Sequence, residues 1–260
     1  MNYSVFLSAG HGGSDPGAVA YGLKEKQINL NILLACKDEL VRHGIKVYTS
    51  RTKDENDPVS EEVTEANNSN ADIAVSFHTN AGKGDGSESY YYTKSDNGKK
   101  LAELCEKHVK SIGQNSRGIK SGNHLYFIKH TKMTAVLCEC AFIDNDRDND
   151  IIDTTAEQKK FGVAYAKAIL EYLGVVYKTP SKPSNTSTKT EFLVKVANVN
   201  KGDRLNIREK PSSTSRITGR LEYNDPNKYT IVETRQIGKS KWGKLKSGKG
   251  WLNLYYTKRV

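Results

Sequence analysis

Apolar and polar positions alternate in blocks along the first 175 residues, and the pattern then changes. Residues 3–8, 73–78 and 134–140 are apolar-rich runs of strand length, the signature of strands buried in a sheet. Between the first two lies a helical repeat. Over residues 25–43 the apolar positions are Ile28, Leu30, Ile32, Leu33, Leu34 and Leu40, and Gly44 follows as a stop signal. A second helix is expected over 156–173, ended by Gly174. Strands alternating with helices predict an α/β domain with a mostly parallel sheet flanked by helices on both faces. Residues 176–190 are rich in Pro, Ser, Thr and Lys with almost no apolar position, which is linker composition. Short strand-like runs then recur at 192–196, 205–208, 217–221, 229–233, 242–246 and 250–254, an all-β pattern expected to form a small barrel. The chain therefore divides into 1–175, a linker at 176–190, and 191–260.

Charge sharpens this division. The whole chain carries 40 Lys+Arg against 30 Asp+Glu, net +10. Residues 1–175 hold 21 basic and 24 acidic side chains, while 176–260 hold 19 and 6. The entire positive excess belongs to the C-terminal part, whose partner should be anionic. Nucleic acid would suit the charge, but no recognition motif accompanies it. No run approaches the ~20 apolar residues needed to span a bilayer, so membrane insertion is not expected. The N-terminal residues enter a strand at once, without a basic and apolar leader; synthesis in the cytoplasm is the expectation. Cys36 and Cys105 fall in expected helices, and Cys138 and Cys140 point to one side of a strand, away from Glu139. All four are read as small buried apolar residues.

Candidate chemistry is spread over the first 140 residues. His11 sits in a glycine-rich loop after the first strand, Glu25 opens a helix, His78 ends a strand, and Glu139 lies near the end of another. Open α/β sheets build sites at the carboxyl ends of strands, so these groups can converge. Two histidines and one carboxylate are a common catalytic zinc set that leaves a position for water. A further carboxylate near the metal can carry a proton. Each residue also has an ordinary reading. A single histidine is more often structural or solvated. Glu25 could simply favour a helix dipole, and Glu139, inside an apolar run, could belong to a buried salt bridge. His43 and His108 look like ordinary helix residues.

A family resemblance bears on the choice. The quoted segments are GHGGSDPGA at 10–18, ExxxN at 25–29, YTSR at 48–51, ANxxxAD at 66–72, SFHTNA at 76–81, LYFI at 125–128 and KMTAVLCECAFIDN at 132–145. In this order they resemble the zinc-dependent N-acetylmuramoyl-L-alanine amidases called amidase type 3. The resemblance implies that His11, Glu25 and His78 bind Zn2+ and that Glu139 is the catalytic glutamate. It also implies cleavage of the amide between N-acetylmuramic acid and the L-alanine of the stem peptide. Cys138, Cys140 and Glu62 depart from the family pattern, the last standing where an arginine is frequent. Arg51 is expected either to orient Glu139 or a ligand, or to form a surface salt bridge. Asn80, His124 and His130 flank the expected site as candidate substrate contacts.

The tail resembles the bacterial SH3 domains through LNIREKPSSTSRITGRL at 205–221 and WGKLKSGKGWL at 242–252. That implies binding to cell wall, either the peptidoglycan of a Gram-positive wall or its anionic polymers. Tyr223, Trp242, Trp251 and Tyr255 are candidate wall contacts, with Tyr229 and Tyr256 beside them; the two tryptophans could equally fill the barrel core. Three roles follow: a phage or prophage endolysin, a host autolysin of sporulation or mother-cell lysis, or a wall-binding protein with a dead amidase domain. The intact histidine and glutamate set argues against the last.

Overall fold

A computed structural model describes residues 3–179, 188–238 and 240–260. They fall into two compact units, Met1–Lys178 and Thr179–Val260. In chain order the first unit contains β1 (Ser4–Ala9), the short pair β2 (Val19–Ala20) and β3 (Leu23–Lys24), α1 (Glu25–Arg42), β4 (Lys46–Thr49), α2 (Val59–Ser69), β5 (Ile73–Asn80) and β6 (Ser87–Tyr91). It continues with α3 (Asp96–Lys110), β7 (Ser116–Ser121), α4 (Tyr126–His130), β8 (Thr134–Phe142), α5 (Asp146–Ile152) and α6 (Thr155–Tyr172). Six strands form one sheet in the order β4-β1-β5-β8-β6-β7. The first four run parallel. β6 is antiparallel to β8 and parallel to β7, so strand direction reverses once, between β8 and β6.

The two-residue period of the strands sorts their side chains between two helical layers. Val5, Leu7, Val75, Phe77, Val136, Cys138 and Cys140 face α1, α3 and α6, with Ile32, Leu33, Leu101 and Phe161 packed against them. Phe6, Ala74, Ala135 and Leu137 face the other way, under Val63 and Ala66 of α2 and Phe127 and Ile128 of α4. Helices therefore cover both faces, as the sequence pattern predicts. All four cysteines are free and buried.

The apolar pattern does not announce β6. Its first three residues, Ser87, Glu88 and Ser89, are buried yet polar. The sheet accommodates the two serines with a partner from α3. Buried Glu106 accepts hydrogen bonds from Ser87 Oγ at 2.8 Å and Ser89 Oγ at 2.7 Å, and also from Ser116 of β7. Paired polar groups here replace the hydrophobic signal that identifies the other central strands.

Of the stretch with linker composition, residues 180–187 lie outside the described residues. Its beginning is held to the first unit. Tyr177 stacks on His43 with ring centroids 5.0 Å apart, and Lys178 N donates to His43 Nε2 at 2.8 Å. Its last three residues, 188–190, already belong to a strand.

The second unit is a single seven-stranded antiparallel sheet. Its strands are β9 (Thr188–Val196), β10 (Arg204–Arg208), β11 (Ile217–Glu222), β12 (Tyr229–Ile237), β13 (Ser240–Leu245), β14 (Trp251–Asn253) and β15 (Thr257–Arg259). Their order is β11-β10-β14-β13-β12-β9-β15. Val194, Leu205, Ile207, Leu221, Ile231, Leu245 and Leu252 form its core.

Leu33 is fully buried where α1 meets the sheet. Leu33→Ala is expected to destabilise the first unit by about 2–5 kcal/mol, through lost apolar burial and an unfilled cavity. A urea titration of the variant should show a lower midpoint with an unchanged slope.

Candidate metal centre and active site

Three side chains from separate elements meet at the carboxyl ends of β1 and β5. His11 follows β1, Glu25 opens α1, and His78 lies near the end of β5. One ligand atom from each lies within 4.8 Å of the others. Glu25 is the hub: its Oε2 lies 3.2 Å from His11 Nε2, and its Oε1 lies 3.2 Å from His78 Nδ1. The carboxylate also accepts from Ala18 N at 2.9 Å and Thr79 N at 3.0 Å, while Asn29 Nδ2 donates to it at 3.3 Å. Its place in the first turn of α1 adds the favourable end of the helix dipole.

Backbone geometry allows this close approach. A Cβ on Gly10 would lie 2.0 Å from the His78 ring. One on Gly17, whose φ is +63°, would lie 2.6 Å from Glu25 Oε2 and 2.8 Å from the His11 ring. His11 itself adopts a left-handed φ of 65°, uncommon for a residue other than glycine and a form of strain found at functional sites. Asp15 holds it there, 2.8 Å from His11 Nδ1. An ionised carboxylate only accepts, so His11 donates to Asp15 through Nδ1 and turns Nε2 toward the cluster.

The electrostatics follow from this packing. The hydrogen bond to Glu25 is the largest influence on His11 and, with Asp15 helping and burial opposing, raises its pKa to about 9. Burial would push Glu25 up, but its bonds to His11 and His78 prevail and hold it well below the usual carboxylate range. Burial likewise opposes a charged His78, yet Glu25, Glu139 and Glu62 together leave its pKa raised. Two imidazole nitrogens and one carboxylate oxygen, converged and partly shielded from water, fit a zinc-type cation in chemistry and number.

Glu139 stands beside this cluster. Its Cα pairs in register with that of His78 across β5 and β8. Its Oε2 is buried and has no hydrogen-bond partner. Burial, opposed by His78, pushes its pKa up to about 7. A half-buried carboxyl of that proton affinity, with one oxygen uncommitted, is suited to accept and return a proton near neutrality. On its other side Glu139 pairs in register with Glu88 of β6. The arrangement has no salt bridge at Glu139 among the described residues.

Arg51 is not the surface salt bridge that was one of its two expected roles. It is 2% exposed and bonds to backbone carbonyls: Ala9 O at 3.0 Å, Lys26 O at 2.8 Å and Lys53 O at 3.2 Å. It thereby ties the loop carrying His11 to the turn carrying Glu25. Glu62 is also buried, and Ser8 Oγ donates to it at 2.6 Å. Asn80 is two residues beyond His78; its Oδ1 accepts from Ala81 N at 2.8 Å and its carbonyl from Ile143 N at 2.8 Å. His124 is exposed and lies edge-on to Tyr90, 6.3 Å between rings. His130 stacks at 4.3 Å on Tyr126, and its carbonyl accepts from Asn67 of α2. Sequence reasoning gave no role to Asp15, Glu88 or Arg117. Asp15 had a signal in its (i, i+4) spacing from His11.

In the second unit Trp242 and Trp251 are both buried. Neither belongs to the contiguous aliphatic core. Trp251 lies beneath Arg235, 5.0 Å from its ring centre, whereas Trp242 and Tyr256 line a cavity of about 490 Å³ with Asn198, Asn206, Arg208 and Asn253. Tyr223 and Tyr255 are exposed, outside that cavity.

An α/β sheet carrying a two-histidine, one-carboxylate cluster with a half-buried glutamate beside it has the groups a hydrolytic site needs. The N-acetylmuramoyl-L-alanine amidase family pattern matches residues 5–171, and the chain belongs to that family of peptidoglycan amidases. It is 33% identical to the endolysin of Bacillus phage SPP1, over 99% of this chain and 96% of that protein. It is 31% identical to the N-acetylmuramoyl-L-alanine amidase CwlM of Bacillus licheniformis, over 78% of this chain and 84% of that one. Among solved structures, an N-acetylmuramoyl-L-alanine amidase from Clostridium difficile superposes with a TM-score of 0.63 at 31% identity, covering 66% of this chain and 97% of that one.

Asp15→Ala should weaken zinc binding by about 10–100-fold, the usual cost of removing the partner of a ligating histidine. Because His11 holds its proton up to about pH 9, a cation must displace that proton, and zinc affinity should fall as pH drops below 9. Competition against a chelator at several pH values measures both effects.

Proposed function

We propose that this chain is a zinc-dependent endolysin that cleaves the amide between N-acetylmuramic acid and the L-alanine of the stem peptide. The observation that carries the reading is the convergence of His11, Glu25 and His78 beside Glu139, whose buried Oε2 has no partner. The first three residues would hold zinc, which supplies Lewis acidity toward the scissile carbonyl and the attacking water. Glu139 accepts the water's proton at its free Oε2 and delivers it to the departing alanine nitrogen. Glu25 fixes the two imidazoles, and Arg51 locks the two backbone segments that carry His11 and Glu25. The rise in the Glu139 pKa lets one carboxyl serve both proton steps near neutral pH.

The endolysin role rests on the phage relative, which matches both units of this chain from end to end. In this reading the protein acts at the wall of a Gram-positive cell after release from the cytoplasm. The C-terminal unit acts as an SH3-type wall anchor. Its net charge of +13, counted over residues 176–260, suits anionic wall polymers. The 490 Å³ cavity, lined by asparagines, serines and arginine beside Trp242, has hydrogen-bonding groups suited to a peptide or glycan.

Glu139→Gln should lower kcat by about 10²–10⁴-fold while zinc content stays at the wild-type level. The measurement is mass spectrometry of digested walls, read for peptides with a new N-terminal L-alanine; a fully active variant contradicts the assigned role. Removing residues 179–260 should reduce sedimentation of the protein with purified walls and leave cleavage of soluble muropeptides intact.

A further inference from the structure

Across the sheet from the candidate metal centre runs a row of charged side chains. His78 of β5 pairs in register with Glu139 of β8, and Glu139 pairs with Glu88 of β6. In-register partners project to the same face, so the three carry one line of chemistry across three strands. β7 completes the row. Arg117 Nε donates to Glu88 Oε1 at 2.6 Å, and Lys120 Nζ lies 3.8 Å from the same oxygen. Glu88 is 5% exposed, and Tyr90 Oη donates to its other oxygen at 2.7 Å.

The guanidinium of Arg117 is held on two sides. Buried Glu88 fixes its Nε, and the Phe142 ring lies beneath it with 5.2 Å from Cζ to the centroid. Its two terminal nitrogens make no hydrogen bond within the protein among the described residues. The side chains of Arg117 and Lys120 remain 42% and 40% exposed, open to a ligand. A fixed Nε with a free terminal edge is the form in which arginine receives a carboxylate through two parallel bonds. Two cations against one buried carboxylate leave this end of the row with net positive charge.

The spacing fits the substrate. Register partners on adjacent strands are about 5 Å apart, so Glu88 lies one such step from Glu139. The guanidinium lies one hydrogen bond, 2.6 Å, beyond the Glu88 carboxylate. An extended peptide advances about 3.3 Å per residue. A peptide that left the scissile amide over Glu139 toward β7 would bring the α-carboxyl of its second residue to Arg117, and that carboxyl is free where the stem continues through the residue's side-chain carboxyl instead. From these observations we infer that Arg117, assisted by Lys120, is a specificity-determining subsite for a free carboxylate on the second residue of the stem peptide. The inference rests on the amidase reading above. It adds a preference among peptidoglycans, disfavouring those whose second residue is carboxamidated, because an amide there offers the arginine only one acceptor and no charge.

The test uses the full chain, loaded with zinc, and two soluble N-acetylmuramoyl tripeptides differing only at that second-residue carboxyl, free in one and a carboxamide in the other. Wild type should cleave the free acid with a kcat/KM roughly tenfold higher or more, the scale of a charge-assisted hydrogen-bond pair. Arg117→Ala should abolish the preference. Arg117→Lys keeps a cation opposite Glu88, so the buried carboxylate stays paired, and should still lose most of the preference. Lys120→Gln should reduce it by a smaller factor. Zinc content and the unfolding midpoint are followed in each variant; a merely structural Arg117 would lower stability and cleave both substrates in the wild-type ratio. Equal cleavage by wild type, or an intact preference in both Arg117 variants, overturns the subsite. Cleavage of neither tripeptide would bring down the amidase reading, and the subsite with it.

Discussion

The first unit is organised around one buried carboxylate. Glu25 receives two backbone N–H groups, from Ala18 and Thr79, and meets His11 and His78 with its two oxygens. An ionised carboxylate 5% exposed would be untenable alone and is stable here because every direction around it supplies a donor. The same bonds fasten the loop after β1, the start of α1 and the end of β5 to one another. The geometry of the candidate site and the closure of this end of the sheet therefore share one set of interactions. Arg51 extends the arrangement, since its bonds to Ala9 O and Lys26 O hold the same two segments from behind.

Much of this was legible in the sequence because the residues concerned have distinctive chemistry in distinctive settings. His11 sits among glycines, Glu25 starts a periodic stretch, and His78 and Glu139 end apolar runs. The helix boundaries of α1 and α6 followed from apolar spacing and the glycines at 44 and 174. Arg51 was noticed but not understood: its partners are carbonyl oxygens, which every residue possesses and no motif records. β6 has no apolar signal because its buried positions are Ser87, Glu88 and Ser89, which look like a surface loop until Glu106 is seen to satisfy the serines, and Tyr90 and Arg117 to satisfy Glu88. Glu88 and Arg117 went unread with it. The tryptophans of the tail are also instructive. Trp242 and Trp251 are buried, yet both lie outside the aliphatic core, a distinction that composition cannot make.

Polar burial recurs across the first unit. Glu62 with Ser8, Glu106 with three serines, and Glu88 with Tyr90 and Arg117 each bring a carboxylate inside with its donors. Such networks specify geometry more than they add stability, since a misplaced partner leaves a charge stranded. They lie on the strands that carry the site or next to them, where orientation matters most to chemistry. The second unit is built differently, from an aliphatic core and a basic surface, and its evident electrostatic character is attraction toward anions.

The alternation along β8 has a consequence for strand pairing. Cys138, Glu139 and Cys140 are consecutive, and only the middle one shares the face of His78 and the candidate metal centre. A slip of one residue against β5 would turn Glu139 into the apolar layer beneath α3 and α6 and present thiols to the cleft. Such a pairing would be unstable, because it strands a carboxylate among apolar side chains. Native register thus decides which chemistry this end of the sheet presents: one carboxylate, with a thiol turned away on either side.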